Sequence, residues 1–150
     1  MNKTEKLARQ IFSEQDLEEL QQAVAQAEKK TSGEIKLDFE YDVQQDALLH
    51  ATRIFHTLGL SSTAERNATL IVLFLKDRKF AILGDEGIHK RVPPYFWDSV
   101  RARMEKQFRS GNFKQGLLEG IDELAQKLAA FFPRTRDDRN EISDEITFDR

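Results

Sequence analysis

Residues 68–92 read Ala-Thr-Leu-Ile-Val-Leu-Phe-Leu-Lys-Asp-Arg-Lys-Phe-Ala-Ile-Leu-Gly-Asp-Glu-Gly-Ile-His-Lys-Arg-Val, and the fold turns on them. The apolar run at 70–75 is too short to span a membrane. Its branched and aromatic residues, stopped by charges, suit a strand buried on both faces. Lys76-Asp77-Arg78-Lys79 is short enough for a hairpin turn, so residues 80–83 return as an antiparallel strand. The chain then leaves the sheet through Gly84-Asp85-Glu86-Gly87-Ile88-His89.

Upstream, residues 34–42 alternate strictly. Ile35, Leu37, Phe39 and Tyr41 point one way; Glu34, Lys36, Asp38, Glu40 and Asp42 point the other. That period predicts a strand with one apolar face. The plainer expectation is an edge strand whose polar face meets water; the sharper one is that Asp38 and Glu40 face a cation or a partner. Leu48, Ala51, Ile54, Phe55 and Leu58 mark a helix ending at Gly59, with His50 and His56 as surface or packing residues. Strand, helix and strand make a right-handed unit with parallel strands. Earlier still, Ser13 and Asp16 form an acidic capping box ahead of the stripe Leu17, Leu20, Val24 and Ala27. Residues 2–11 suit a short helix or an arm.

Downstream, Pro93-Pro94 precede a helix with the stripe Trp97, Val100, Met104 and Phe108, ended by Gly111. Asn112 is a candidate cap for a last helix that buries Leu117, Ile121, Leu124, Leu128 and Phe131. Gly116 and Gly120, four apart, would let that helix approach a neighbour closely. The expected domain plan is an arm or short helix at 1–12, one domain at 13–133 and an acidic tail at 134–150. From Asp137 to Asp149 six acids face one base, a local charge of −5, while the whole chain carries −3. Ile142, Ile146 and Phe148 are spaced as anchors. The plainer expectation is a disordered acidic end; the sharper one is that the tail docks on its own domain, near Lys90, Arg91, Arg101 and Arg109.

Composition narrows the function classes. With 39% hydrophobic and 33% charged residues, the chain is globular in type. It lacks the concentrated basic surface that nucleic acid requires. Without cysteine there is no disulfide, thiol or thiolate-metal chemistry. No apolar leader or membrane span is evident, so no membrane insertion and a cytoplasmic setting are expected.

Taken together, these motifs resemble a TPM domain, the family that includes a thylakoid acid phosphatase involved in photosystem repair and modulators of acetylcholine receptors. The resemblance covers roughly residues 13 to 132. It rests on Ser32-Gly33-Glu34-Ile35, on the apolar strand ending in Lys76-Asp77-Arg78-Lys79, on Gly84-Asp85-Glu86-Gly87-Ile88, and on Phe108, Gly111, Phe113 and Gly116. A short, anchorless bacterial subgroup is more similar still. It shares Gly84-Asp85-x-Gly87-Ile88-His89, Phe96-Trp97-Asp98, and an ending with Phe132-Pro133, Asp138 and Asn140-Glu141. The resemblance implies an α/β fold: a three-layer αβα sandwich of Rossmann-like character, with a mixed, mostly parallel sheet and helices on both faces. It also implies metal-dependent phosphatase activity and calcium binding. Exported members have two acids before the hairpin arginine, where this chain has Lys76 and Asp77, and a glutamate about where His89 falls.

Two candidate sites follow. The binding loop is Gly84, Asp85, Glu86, Gly87 and His89, with Asp85 and Glu86 as ligands for calcium or magnesium. Its structural alternative is a glycine turn in which Asp85 caps the next helix. The alternative site is Asp42, Asp77 and Arg78, beside the C-terminal end of the first strand, where open α/β sheets bind ligands. A strand of five residues separates the two by roughly 16 Å, so they cannot share an ion. No catalytic residue is assigned. The incomplete acidic pattern favours a non-enzymatic interaction or assembly module with an unknown protein partner and a capacity for divalent cations. The alternative is a metal-dependent acid phosphatase acting on phosphomonoesters.

Overall fold

The computed structural model describes residues 1–135 and 138–149; Asp137 and Arg150, both part of the expected tail, lie outside the described residues. The described residues form six helices and four strands: α1 (Lys3–Ile11), α2 (Glu14–Ala27), β1 (Glu34–Glu40), α3 (Ala47–Thr57), β2 (Ala68–Phe74), β3 (Lys79–Gly84), α4 (Glu86–His89), α5 (Asp98–Arg109), α6 (Phe113–Ala129) and β4 (Thr147–Phe148). A single 3₁₀ turn at Leu60–Ser62 links α3 to β2.

The sheet runs β3-β2-β1-β4. β1 is parallel to both β2 and β4, and only the β2–β3 hairpin is antiparallel. The result is the mixed, mostly parallel sheet of an αβα sandwich. Its two faces are unequal. Ile35, Leu37 and Phe39 of β1 join Ile71 and Leu73 of β2 in a large core closed by α1, α2, α5 and α6. Leu70, Val72 and Phe74 face the other way, against Ala51, Ile54 and Phe55 of α3.

Local chemistry accounts for the helices. Ser13 and Asp16 exchange the two hydrogen bonds of a capping box at the start of α2. α5 lies so close to α6 that a Cβ on Gly116 would stand 2.5 Å from the Phe108 ring, and one on Gly120 would stand 2.5 Å from the Met104 sulfur. The glycine pair sets the depth of that contact. Asn112 provides no side-chain cap to α6; its amide donates to Gln107 Oε1 instead. In α3 the buried set is His50, Ala51, Ile54 and Phe55, whereas Leu48 is exposed.

The larger correction concerns β1. It is not an edge strand with a wet polar face: Glu34 and Asp38 are 2% exposed, and Lys36 and Glu40 are 5% exposed. The cause is the C-terminal segment, which lies along β1 rather than near Lys90, Arg91, Arg101 and Arg109. Thr147 and Phe148 pair in register with Asp38 and Phe39, and the Asp149 amide donates to the Phe39 carbonyl at 2.8 Å. Lys36 Nζ donates to the carbonyls of Ser143 (3.2 Å) and Glu145 (2.5 Å). Ile142 packs with the α3 core, and Ile146 and Phe148 pack with the larger one. Among the described residues, no helix is long and apolar enough to cross a membrane.

Candidate functional site

The two sites expected from sequence fall at opposite ends of the sheet. In the glycine loop, Asp85 caps α4 by accepting from the Glu86 amide at 2.8 Å. Both its oxygens also receive the guanidinium of Arg66, at 2.7 and 2.8 Å. Arg66 Nη1 reaches Glu86 Oε1 at 3.2 Å. His89 Nε2 lies 2.9 Å from the Gly84 carbonyl and must carry its proton there, since a carbonyl only accepts. Gly87 sits under the Glu65 and Arg66 carbonyls, where a Cβ would come within 2.1 Å. The carboxylate pair offered to a cation thus already holds an internal one, and Asp85 and Glu86 do not fit a metal ion in this arrangement.

At the other end, Asp77 Oδ2 accepts the Val43 amide at 2.7 Å, which brings the hairpin turn against the end of β1. Asp42 Oδ1 accepts from the Gln44 side chain at 2.9 Å. Arg78, with φ of 53°, places its guanidinium 5.8 Å from the centre of the Phe113 ring. Asp42 and Asp77 are therefore neighbours through the turn, while Arg78 is directed to α6.

Two further clusters form where the C-terminal segment crosses β1. The first gathers Glu28, just past α2, Glu34 at the start of β1, and Asp138 and Asp144 from the C-terminal segment. Glu28 Oε1 accepts the Ile35 amide at 2.9 Å, so a side chain occupies a place on the sheet's edge. Glu34 Oε1 accepts the Glu141 amide at 2.6 Å. The Glu28 carboxyl lies against those of Asp144 and Glu34. Buried Glu28 Oε2, Glu34 Oε2 and Asp144 Oδ1 accept no hydrogen bond, and Asp138 Oδ2 has only Arg134 Nη1 at 3.4 Å. Four carboxyls against Lys36 and Arg134 leave a formal excess of two negative charges. Burial, reinforced by Asp144 and Glu34, pushes Glu28 up to about 11. Burial also raises Glu34, against the lowering effect of Glu28 and the Glu141 amide.

The second cluster lines a cavity of about 460 Å³ between β1, α3 and β4. Asp38 Oδ1 accepts from the Thr147 hydroxyl at 2.5 Å. Glu40 sits beside it, pushed up to about 10 by burial and then by the Asp38 carboxylate. His50 Nδ1 accepts the Gln44 amide at 3.1 Å, which leaves the ring proton on Nε2, 3.4 Å from Glu40 Oε1. Burial, and then Arg53, lowers the His50 pKa, so the ring is a neutral donor. Sequence reasoning pointed at Asp38 and Glu40 but passed over Glu28, His50 and the two tail acids. The available signal was the polar face of β1 together with three apolar anchors inside an acidic tail.

Comparison with known proteins bears on both ends of this map. The family model described as TPM domain matches residues 7–127. The chain belongs to the TPM domain family. This TPM domain superposes on the BA42 protein of the psychrophilic bacterium Bizionia argentinensis with a TM-score of 0.88 at 36% identity, covering 92% of this chain and 95% of that one. An N-terminal domain from P. gingivalis gives 0.61 at 22% identity, covering 81% and 79%. One from Corynebacterium glutamicum gives 0.62 at 11%, covering 90% and 79%; these two show the fold alone. No curated protein matches. Asp138, Asp144 and β4 lie beyond the span of the TPM match, so both clusters combine residues inside it with residues outside it.

Proposed function

We propose that this TPM domain is a divalent-cation-binding interaction module, with the ion joining the C-terminal segment to β1. One observation carries the reading: buried oxygens of Glu28, Glu34 and Asp144, with Asp138 beside them, converge from segments about a hundred residues apart, and among the described residues only Asp138 has an ion-pair partner, Arg134. Buried carboxylates without cations or donors are costly. An all-oxygen set with two negative charges to spare suits a hard ion such as calcium or magnesium. Among the described residues no three such side chains already stand in coordinating positions; the Glu28 carboxyl lies against those of Asp144 and Glu34, and an ion would replace the proton that burial makes it hold. The ion would stabilise the docked segment and set what surface β1 and β4 present to a protein partner.

Calorimetric titration of the metal-free protein with calcium, and separately with magnesium, tests this. Saturable binding that rises with pH and disappears in a Glu34→Gln, Asp144→Asn double variant is the expected result. Absence of binding to the folded wild type would remove the proposal. The competing reading, a metal-dependent phosphatase, is separated by a phosphomonoester assay with and without calcium on Asp77→Ala and Asp85→Ala.

A further inference from the structure

We propose that the cavity at the C-terminal end of β1 binds a small organic cation, an alkylammonium whose head meets Asp38 and whose hydrocarbon body lies along Ile54, Leu58 and Phe148. A volume of about 460 Å³ falls within the range of small-molecule sites (about 300–1,000 Å³) and far exceeds what a bare ion would fill. Its walls combine the acids Asp38, Glu40 and Asp149 with His50, Arg53 and Thr57 and with the apolar Ile54, Leu58 and Phe148.

Charge selects the sign. Asp38, Glu40 and Asp149 face the cavity, against the single full cation Arg53, which is exposed and reaches out to Gln45 Oε1 at 3.3 Å. Lys36, two residues before Asp38 on the same face, is already committed to the Ser143 and Glu145 carbonyls. His50 is neutral, and its Nε2 lies 3.4 Å from Glu40 Oε1. A carboxylate or phosphate ester entering here would meet three acids against the one guanidinium of Arg53 among the lining residues.

Valence follows from the acid pair. Asp38 is 2% exposed, and its Oδ2 receives no N–H or hydroxyl of the protein, only the neighbouring Glu40 carboxyl. The Asp38 and Glu40 carboxyls share one site, and two carboxyls so placed retain about one negative charge between them. A monovalent head carrying several N–H donors matches that charge and supplies the N–H that Asp38 Oδ2 lacks from the protein. The site is distinct from the Glu28–Glu34 cluster: six residues of β1 put roughly 20 Å between Glu34 and Glu40. Its far wall, Phe148 and Asp149, nevertheless comes from the same C-terminal segment, so the cavity exists only when that segment is docked.

The test is a ¹H–¹⁵N NMR titration of the full chain with n-butylammonium, and with n-butyrate as a probe of equal length and opposite charge. Saturable shifts at Asp38, Glu40, Ile54, Leu58 and Asp149 with the amine, and none with butyrate, are expected. Asp38→Asn keeps an acceptor for Thr147 and should weaken the amine at least tenfold. Leu58→Lys, on the half-exposed end of α3, places an ammonium at the cavity mouth without touching the strand ladder and should abolish the shifts. Equal response to butyrate, non-saturating shifts spread over surface acids, or undiminished binding in either variant would overturn the assignment.

Discussion

β1 and β2 are neighbours of equal length, paired residue for residue, and both are buried along all seven positions. They reach that state by opposite routes. β2 buries apolar side chains on both faces, so water is excluded by its own composition. β1 does so on one face only; on the other it carries Glu34, Lys36, Asp38 and Glu40 into the interior. Their partners are peptide groups, a hydroxyl and one another, supplied largely by residues 138–149. Equal burial therefore hides unequal energetics. The β2 contribution is hydrophobic and nearly independent of pH and ions, whereas that of β1 depends on how its charges are neutralised.

The largest expected effect lies on the β2 side. Leu73→Ala opens a cavity in the main core and should cost about 3 kcal/mol, the same at pH 5 and pH 9, by urea unfolding. Removing residues 138–150 should cost about 2 kcal/mol, from the contacts of Ile142, Ile146 and Phe148, and lower the melting temperature by about 5 °C. An unchanged melting curve would mean that the segment contributes nothing to β1.

pH sharpens the contrast. Glu28 and Glu40 titrate near 11 and 10 when folded, well above the ordinary glutamate value near 4.5. Between those limits the folded state holds protons that the unfolded chain has released, so stability declines as pH rises from about 5 toward 9. The truncated chain, with its acids returned to water, should show a weaker decline. Calcium, by taking the place of those protons, should flatten or reverse the slope in the intact protein; melting curves at several pH values with calcium or with a chelator read this directly. Asp85→Ala, which breaks the Arg66 pair far from β1, should cost about 1 kcal/mol and leave calcium binding intact. Loss of binding in that variant would return the ion to the glycine loop.

The same contrast explains what could be read from the sequence. β2, α2 and α6 announce themselves because their apolar periodicity is local and their burial needs nothing unforeseen. β1 shows its period equally well, yet its surroundings were misjudged. The strand that covers it is two residues long, lies 109 residues later, and arrives in an acidic segment that charge alone would steer away from Glu34 and Asp38. Apolar anchors at Ile142, Ile146 and Phe148 gave the fact of docking, whereas charge complementarity pointed to the wrong ground. The glycine loop failed differently. Its acids were conspicuous, but their partner, Arg66, sits 19 residues earlier in a loop without pattern, and its backbone takes a left-handed conformation that sequence does not mark.

The lateness of β4 has a consequence for synthesis. Residues 147–148 are made after every other element of the described fold, so a growing chain holds β1 with one edge unpaired and one face uncovered. An apolar face in that position would invite strands from neighbouring nascent chains. Glu34, Lys36, Asp38 and Glu40 keep it hydrated and unattractive while it waits. The charges that sit most awkwardly in the finished molecule are the ones that guard the unfinished one.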